Sequence, residues 1–169
     1  MTQPDATWSD WYDEHMRALV LLARQWCPTH ADAEDAVHDA FTTFWPRRGS
    51  VDDPAAYLYR CTRNAAMDHR QAQARRKRRE QSVAAGKAEL LEADSARMFE
   101  EHDDRVALER ALNTLSDAQR ETVVMKVWGG LTFEQIGAAS EVSPNTAASR
   151  YRYGLAALRK AMEAETHDG

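Results

Sequence analysis

The sequence predicts an all-α chain: two small helical domains joined by a flexible linker, the C-terminal one a helix-turn-helix. Three observations predict it. Apolar residues recur at three- and four-residue steps through most of the 169 residues, the period of one helix face. Only seven Gly and five Pro interrupt a composition rich in Ala, Leu, Arg and Glu, which are good helix formers. Helix-start signatures recur as well, with Ser, Thr or Asp set just before an apolar-periodic run.

The elements follow in order. Residues 7–27 place Trp8, Trp11, Tyr12, His15, Leu19, Leu22 and Trp26 on one helical face, and Pro28 closes the run. A second helix is expected from about Asp32 to Trp45, with Asp32 as its cap and Glu34 and Asp35 suited to its positive end. Ala33, Val37, Ala40, Phe41 and Phe44 form its apolar stripe; Glu34, Asp35, His38 and Asp39 form the other face. Residues 46–53, PRRGSVDD, read as a loop. Asp53 then Pro54 is a cap followed by a proline at the first helical position. The third helix runs on to the basic cluster at Arg79, with a stripe of Tyr57 or Leu58, Cys61, Ala65 and Met67.

Residues 80–104 show no sustained apolar face and read as a partly helical, mobile linker. Val106, Leu108, Ala111, Leu112 and Leu115 then mark a new helix. Ser116 and Gln119 form a capping box for the next, with Val123, Val124, Val127 and Trp128 expected inside, and Gly129-Gly130 stops it. Thr132 and Gln135 form a second box for a short helix holding Phe133, Ile136 and Ala139. Glu141, Val142 and Ser143 make a tight turn, and Ser143 with Pro144 opens the last helix.

Composition narrows the functional classes. With 43% hydrophobic residues there is a core to bury. No apolar run approaches the roughly 20 residues that span a bilayer. The start, MTQPDATWSDWYDE, is acidic and polar, unlike a signal peptide, so a cytoplasmic, reducing setting without membrane attachment is expected. Cys27 and Cys61 sit in helical apolar patterns without metal-ligand spacing, so neither a disulfide framework nor a zinc site is expected.

The net charge of −5 hides strong segregation. Residues 1–59 carry ten acids against four bases, and residues 80–109 nine against three. Between them, residues 60–79 carry eight bases against the single acid Asp68. Such a block is the electrostatic footprint of a polyanion-binding helix, its plain alternative being a solvated basic face.

A short helix, a three-residue turn and a capped second helix make a helix-turn-helix, whose second helix fits the major groove of DNA. Its first turns offer Asn145, Ala148, Ser149 and Arg152 to base edges, with Ser143, Thr146 and Arg150 beside them. An ordinary helical hairpin is the plain alternative.

The residues now resemble a family. LTFEQIGAASEVSPNTAASRYRYGLAALRKAM resembles the promoter-binding end of bacterial sigma factors of the extracytoplasmic-function (ECF) group. DAEDAVHDAFTTFW resembles their helix for gripping the clamp helices of core RNA polymerase. AAYLYRCTRNAAMDHRQAQARR resembles their segment for the promoter element nearer the start site. The three stretches stand in the family's order.

The resemblance implies a domain of residues 1–79, a linker of 80–104 and a domain of 105–169. It implies polymerase contacts at Glu34, Asp35, His38, Asp39, Phe41 and Trp45. The loop 47–53, with Arg47, Arg48 and Ser50, would pocket a flipped base, and Arg60, Arg63, Asn64, Asp68 and Arg70 would line the melted strand. Ser143, Asn145, Thr146, Ala148, Ser149, Arg150 and Arg152 would meet the upstream duplex element. Asp68 has three readings: it orients Arg63, pairs with a base, or forms a salt bridge at helical spacing. The implied partners are core RNA polymerase (clamp helices and flap), promoter DNA in duplex and single-stranded form, and an anti-sigma factor. A monomer is expected, with no cofactor and no metal. Four positions depart from the family: His38 stands where Gln is frequent, Glu141 where the turn usually has Gly, and Ala147 and Ala148 where a bulky aliphatic and a Lys are usual.

Two rival classes exist. An enzyme would need more than the single Asp35-x-x-His38 and Glu34-x-x-x-His38 neighbours, since a di-metal bundle repeats such a motif on two helices. A stand-alone helix-turn-helix regulator would use residues 1–79 to sense or dimerise, but has no need of the basic single-strand segment.

Overall fold

The first helix opens at Thr7, whose hydroxyl accepts the Asp10 N–H at 3.3 Å while the Asp10 carboxylate accepts the Thr7 N–H at 2.8 Å. The computed structural model describes residues 6–81 and 99–167. These residues form seven α-helices and no strand: α1 (Trp8–Ala23), α2 (His30–Phe44), α3 (Pro54–Gln81), α4 (Phe99–Asn113), α5 (Asp117–Val127), α6 (Phe133–Ser140) and α7 (Pro144–His167). One 3-10 turn, Trp45–Arg47, follows α2.

Most starts are the ones the sequence predicts. Ser116 and Gln119 cap α5 reciprocally, as Thr132 and Gln135 cap α6. Asp53 accepts the Ala56 N–H at 3.0 Å, and Ser143 accepts the Thr146 N–H at 3.1 Å. The start of α2 differs. Thr29, not Asp32, is its cap: the Thr29 backbone is extended and its hydroxyl accepts the Asp32 N–H at 3.1 Å. Asp32 lies in the first turn instead and accepts the Thr29 hydroxyl and the Gln73 amide.

Helices α1 to α3 bury Leu19, Leu22, Val37, Phe41, Phe44, Leu58 and Tyr59 completely. The buried face of α3 differs from the expected stripe: it takes in Ala56, Leu58, Tyr59, Cys61, Thr62 and Ala66, while Ala65 and Met67 are only half-buried. Its neighbours explain this, because α3 packs on α1 and α2 and also on α6. Helices α5 to α7 close around Val123, Val124, Met125, Ile136, Ala139 and Ala147. Val127 is exposed and Trp128 only half-buried, against expectation. Both stand at the end of α5, where the chain turns through Gly129-Gly130 toward α6.

The two units pack against each other. One buried cluster continues from the α1–α3 side chains into Leu112, Met125 and Ile136. At the seam, Tyr59 lies against Gly129, where a Cβ would come within 2.8 Å of the Tyr59 hydroxyl and 2.6 Å of the Met125 carbonyl oxygen. The expected linker 80–104 falls mostly outside the described residues; its first two positions complete α3 and its last ones open α4. No helix among the described residues is long and apolar enough to cross a membrane.

Candidate nucleic-acid interface

Helices α6 and α7 form the expected helix-turn-helix. The turn packs tightly: the Val142 N–H donates to the Gly137 carbonyl at 2.9 Å, and a Cβ on Gly137 would meet the Val142 oxygen at 2.6 Å. Glu141 terminates α6 with φ 59° and ψ 42°, left-handed geometry that disfavours a side chain. Ala147 is fully buried, so this departure from the family pattern fills a packing position.

Ser143, Asn145, Thr146 and Arg152 are exposed; Ala148, Ser149 and Arg150 are half-buried. Asn145, Thr146, Ser149 and Arg150 come together along an open depression of about 450 Å³ with Gln119 and Tyr153. These last two were not foreseen. Tyr153, 63% exposed, is an aromatic side chain outside the apolar stripe of α7, and that was its signal.

On α3, Arg60, Asn64, Asp68 and Arg70 are exposed and Arg63 is half-buried. Arg60, Asn64 and Asp68 line a second depression of about 540 Å³ with Asp39, Tyr57 and His69. His69 Nε2 lies 2.9 Å from the Asp39 carboxylate. Asp39, expected on the polymerase face, thus belongs equally to this depression. Arg63 does not turn to Asp68. Its Nε donates to the Glu121 carboxylate of α5 at 2.8 Å. Arg60 donates to the Glu141 carboxylate at 2.5 Å. Sequence reasoning missed both acids as partners of α3; only the misplaced Glu141 gave a hint.

Arg47, Arg48 and Ser50 are exposed in the loop before α3. The Arg48 guanidinium lies 3.7 Å from the Trp45 ring centroid, a cation–π contact. The Ser50 hydroxyl donates to the Arg47 carbonyl at 2.9 Å.

The outer face of α2 presents Glu34, Asp35, His38 and Asp39 to solvent, as expected. Glu34 lies 3.1 Å from His30 Nε2, one helical turn away. Phe41 does not belong to that surface. It is fully buried, its ring 5.1 Å from Trp8 and 5.6 Å from Tyr12. Its position on the inner stripe of α2 leaves it nothing to offer a partner. Trp45 is half-buried, edge-on to Trp8 at 5.3 Å.

The seam between the units has its own electrostatics. Burial would raise the Glu109 carboxyl, but bonds from Arg24 at 3.1 and 3.0 Å, together with the charges of Arg24, Arg105 and Arg120, outweigh it and hold the group below its ordinary value. Burial pushes the His15 ring down, against the nearby Glu14; its Nδ1 faces the Tyr59 hydroxyl at 3.3 Å. Burial, with Asp32 adding to it, pushes the Cys27 thiol up to about 11.

Comparison with known proteins places these features. A family model described as Sigma-70 region 2 matches residues 11–76, and one described as Sigma-70, region 4 matches residues 105–158. The chain is 29% identical over 164 residues to the RNA polymerase sigma-E factor of Streptomyces coelicolor, covering 93% of this chain and 89% of the relative. It is 26% identical over 156 residues to the ECF RNA polymerase sigma factor SigL of Mycobacterium tuberculosis, covering 90% and 86%. The fold is similar to that of RpoE from Bartonella quintana, solved with the anti-sigma factor NepR, at a TM-score of 0.64 and 21% identity, covering 92% of this chain and 98% of that one. It is also similar to CnrH, solved with the cytosolic domain of CnrY, at a TM-score of 0.62 and 20% identity, covering 92% and 87%. With both regions matched in chain order and sigma factors aligned along nine-tenths of its length, the chain belongs to the ECF group of the sigma-70 family.

Proposed function

We propose that this chain binds core RNA polymerase, directs it to specific promoters and helps to open the DNA near the start site, making and breaking no covalent bond itself. The observation that carries the reading is the pairing, in one chain, of an outward-facing helix-turn-helix with the long basic helix α3. The first suits duplex DNA. Asn145, Ser149 and Arg152 at the start of α7 can read base edges while Arg150 meets phosphate. The second suits a melted strand. Unstacking a base costs a few kcal/mol, so binding energy has to favour the unpaired form. Arginines for the backbone and a polar depression between α2 and α3 supply that. The acidic face of α2 suits a basic surface of the polymerase. Work in the cytoplasm as a monomer, under the control of an anti-sigma factor, fits the same reading.

In vitro transcription with core polymerase over a genomic promoter library tests it, the expected result being a discrete set of initiated promoters. Asp35→Arg should weaken polymerase association first. Arg63→Ala with Asn64→Ala should abolish open-complex formation while polymerase binding survives. A purified chain that dimerises and binds an operator without polymerase would point to the stand-alone regulator instead.

A further inference from the structure

Three of the chain's six histidines gather at the acidic face of α2. His30, Glu34 and His38 follow at four-residue steps, so they stand in one row along the helix. His30 Nε2 lies 3.1 Å from the Glu34 carboxylate. Asp35, three residues before His38, is its neighbour on the same surface. The third ring comes from α3, where His69 Nε2 lies 2.9 Å from the Asp39 carboxylate. Each acid of the face thus has one imidazole in contact or one helical turn away. Glu34, Asp35, His38 and Asp39 are exposed, and His30 and His69 are half-buried. His38 is also a position at which the chain departs from its family.

The charges around these rings are otherwise fixed. His30 and Glu34 border a depression with Asp13, Arg17 and Arg24 of α1, and Asp104, Arg105 and Glu109 of α4 close its other side. His69 and Asp39 share theirs with Arg60, Asp68, Tyr57 and Cys61 of α3. Asp32 of α2 also feels the charge of His69. Carboxyl, guanidinium and phenol groups ordinarily keep their charge state between pH 6 and 8, and burial pushes the Cys61 thiol further above that range. Imidazole changes its charge there. With neutral rings, Glu34, Asp35 and Asp39 give the face three negative charges. Each ring that gains a proton cancels one of them and claims a carboxylate oxygen that a cation of the partner would otherwise take.

We infer that His30, His38 and His69 make the acidic face of α2 a pH-sensitive docking surface, which holds core polymerase at neutral pH and loosens its hold as the pH falls toward 6. The inference rests on the proposal above that this face meets a basic surface of the polymerase. The direction follows from charge: less negative potential means weaker attraction to a basic partner.

The test titrates the full chain, labelled with fluorescein at its N-terminus, with core RNA polymerase at pH 7.5 and 6.0 in low salt, reading anisotropy. The parent should bind about three- to tenfold more weakly at pH 6.0. Chains are compared by the ratio of their own two dissociation constants, so affinity lost at both pH values drops out. In His30→Gln/His38→Gln/His69→Gln the ratio should fall below about twofold, with circular dichroism at both pH values as the check of folding. His38→Gln alone, at an exposed position, should lower it part of the way. At about 0.5 M salt the parent's ratio should fall as well, because exposed charges are screened. Equal ratios in the parent and both substituted chains, or a parent ratio near one, would overturn the switch and leave the docking face standing. A parent ratio that survives high salt would trace the weakening to something other than surface charge and overturn the switch too. If Asp35→Arg leaves affinity at pH 7.5 unchanged, the docking face itself is wrong, and the inference falls with it.

Discussion

Arg63 of α3 and Glu121 of α5 meet at 2.8 Å across the seam between the two units, the arginine a quarter exposed and the carboxylate almost wholly buried. The Arg63 guanidinium also lies 6.0 Å from the Trp26 ring centroid, so a tryptophan in the turn after α1 flanks the pair. A buried ion pair adds little net stability, but removing one partner strands the other. Glu121→Ala should lower unfolding free energy by about 1–3 kcal/mol, below the usual cost of breaking a buried pair because Arg63 keeps some access to water. Glu121→Gln, which retains an acceptor, should cost clearly less. Urea denaturation of the two variants beside the parent checks the order.

Gly129 tolerates no larger residue. An alanine there would press its Cβ to 2.6 Å from a backbone oxygen and 2.8 Å from the fully buried Tyr59. Neither neighbour is a flexible side-chain end that can swing away. Gly129→Ala should cost about 1–3 kcal/mol, the usual penalty for overpacking, read as a lower urea midpoint with the slope unchanged. Gly49→Ala, where a Cβ would meet nothing within 4 Å, serves as the comparison.

His15 makes stability depend on pH in a stated direction. Burial lowers its folded-state pKa, so the native chain takes up this proton only at a lower pH than the unfolded chain does. Its contribution is complete above the unfolded value of about 6.5 and is lost as pH falls from there through the lowered value. Unfolding free energy should therefore drop between pH 7.5 and 5.5. His15→Asn, uncharged at both ends of that window, should drop less. Equal slopes in the two chains would show that other groups carry the pH dependence.

Arg150 should count as one phosphate contact. In the holoenzyme bound to a duplex upstream element, Arg150→Ala should lower the salt slope of the binding constant by about one unit. Asn145→Ala, at an exposed position suited to base edges, should leave the slope alone and relax discrimination by about 1–3 kcal/mol at one base pair. Competition binding across a salt series separates the two effects.

Much of this was legible in the sequence because it is local. Capping boxes at Ser116 and Thr132, the Asp53–Pro54 start and the Ser143 cap depend on residues three apart, and each forms as read. The Thr29 cap was missed because Asp32 and Thr29 are both good cap residues within one turn, and only backbone geometry selects between them. Phe41 was placed on the polymerase surface by resemblance, while its own periodicity with Val37 and Phe44 put it inside; the periodicity prevailed. The partners of Arg60 and Arg63 were out of reach. They stand 81 and 58 residues away along the chain, and pairing at that separation follows from how the units dock. The odd placement of Glu141 in its turn was visible, but its reason lay on another helix.

Both thiols of the chain, Cys27 and Cys61, are buried, and burial keeps each of them protonated well above neutrality. The thiolate, the nucleophile that attacks peroxides and disulfides, is therefore scarce in the folded protein. Cysteine oxidation has no ready foothold in the folded protein, and among the described residues Met162, more than half exposed, is the more accessible sulfur. Maleimide chemistry, for the same reason, will decorate whatever cysteines an experimenter adds at the surface and pass over the native pair.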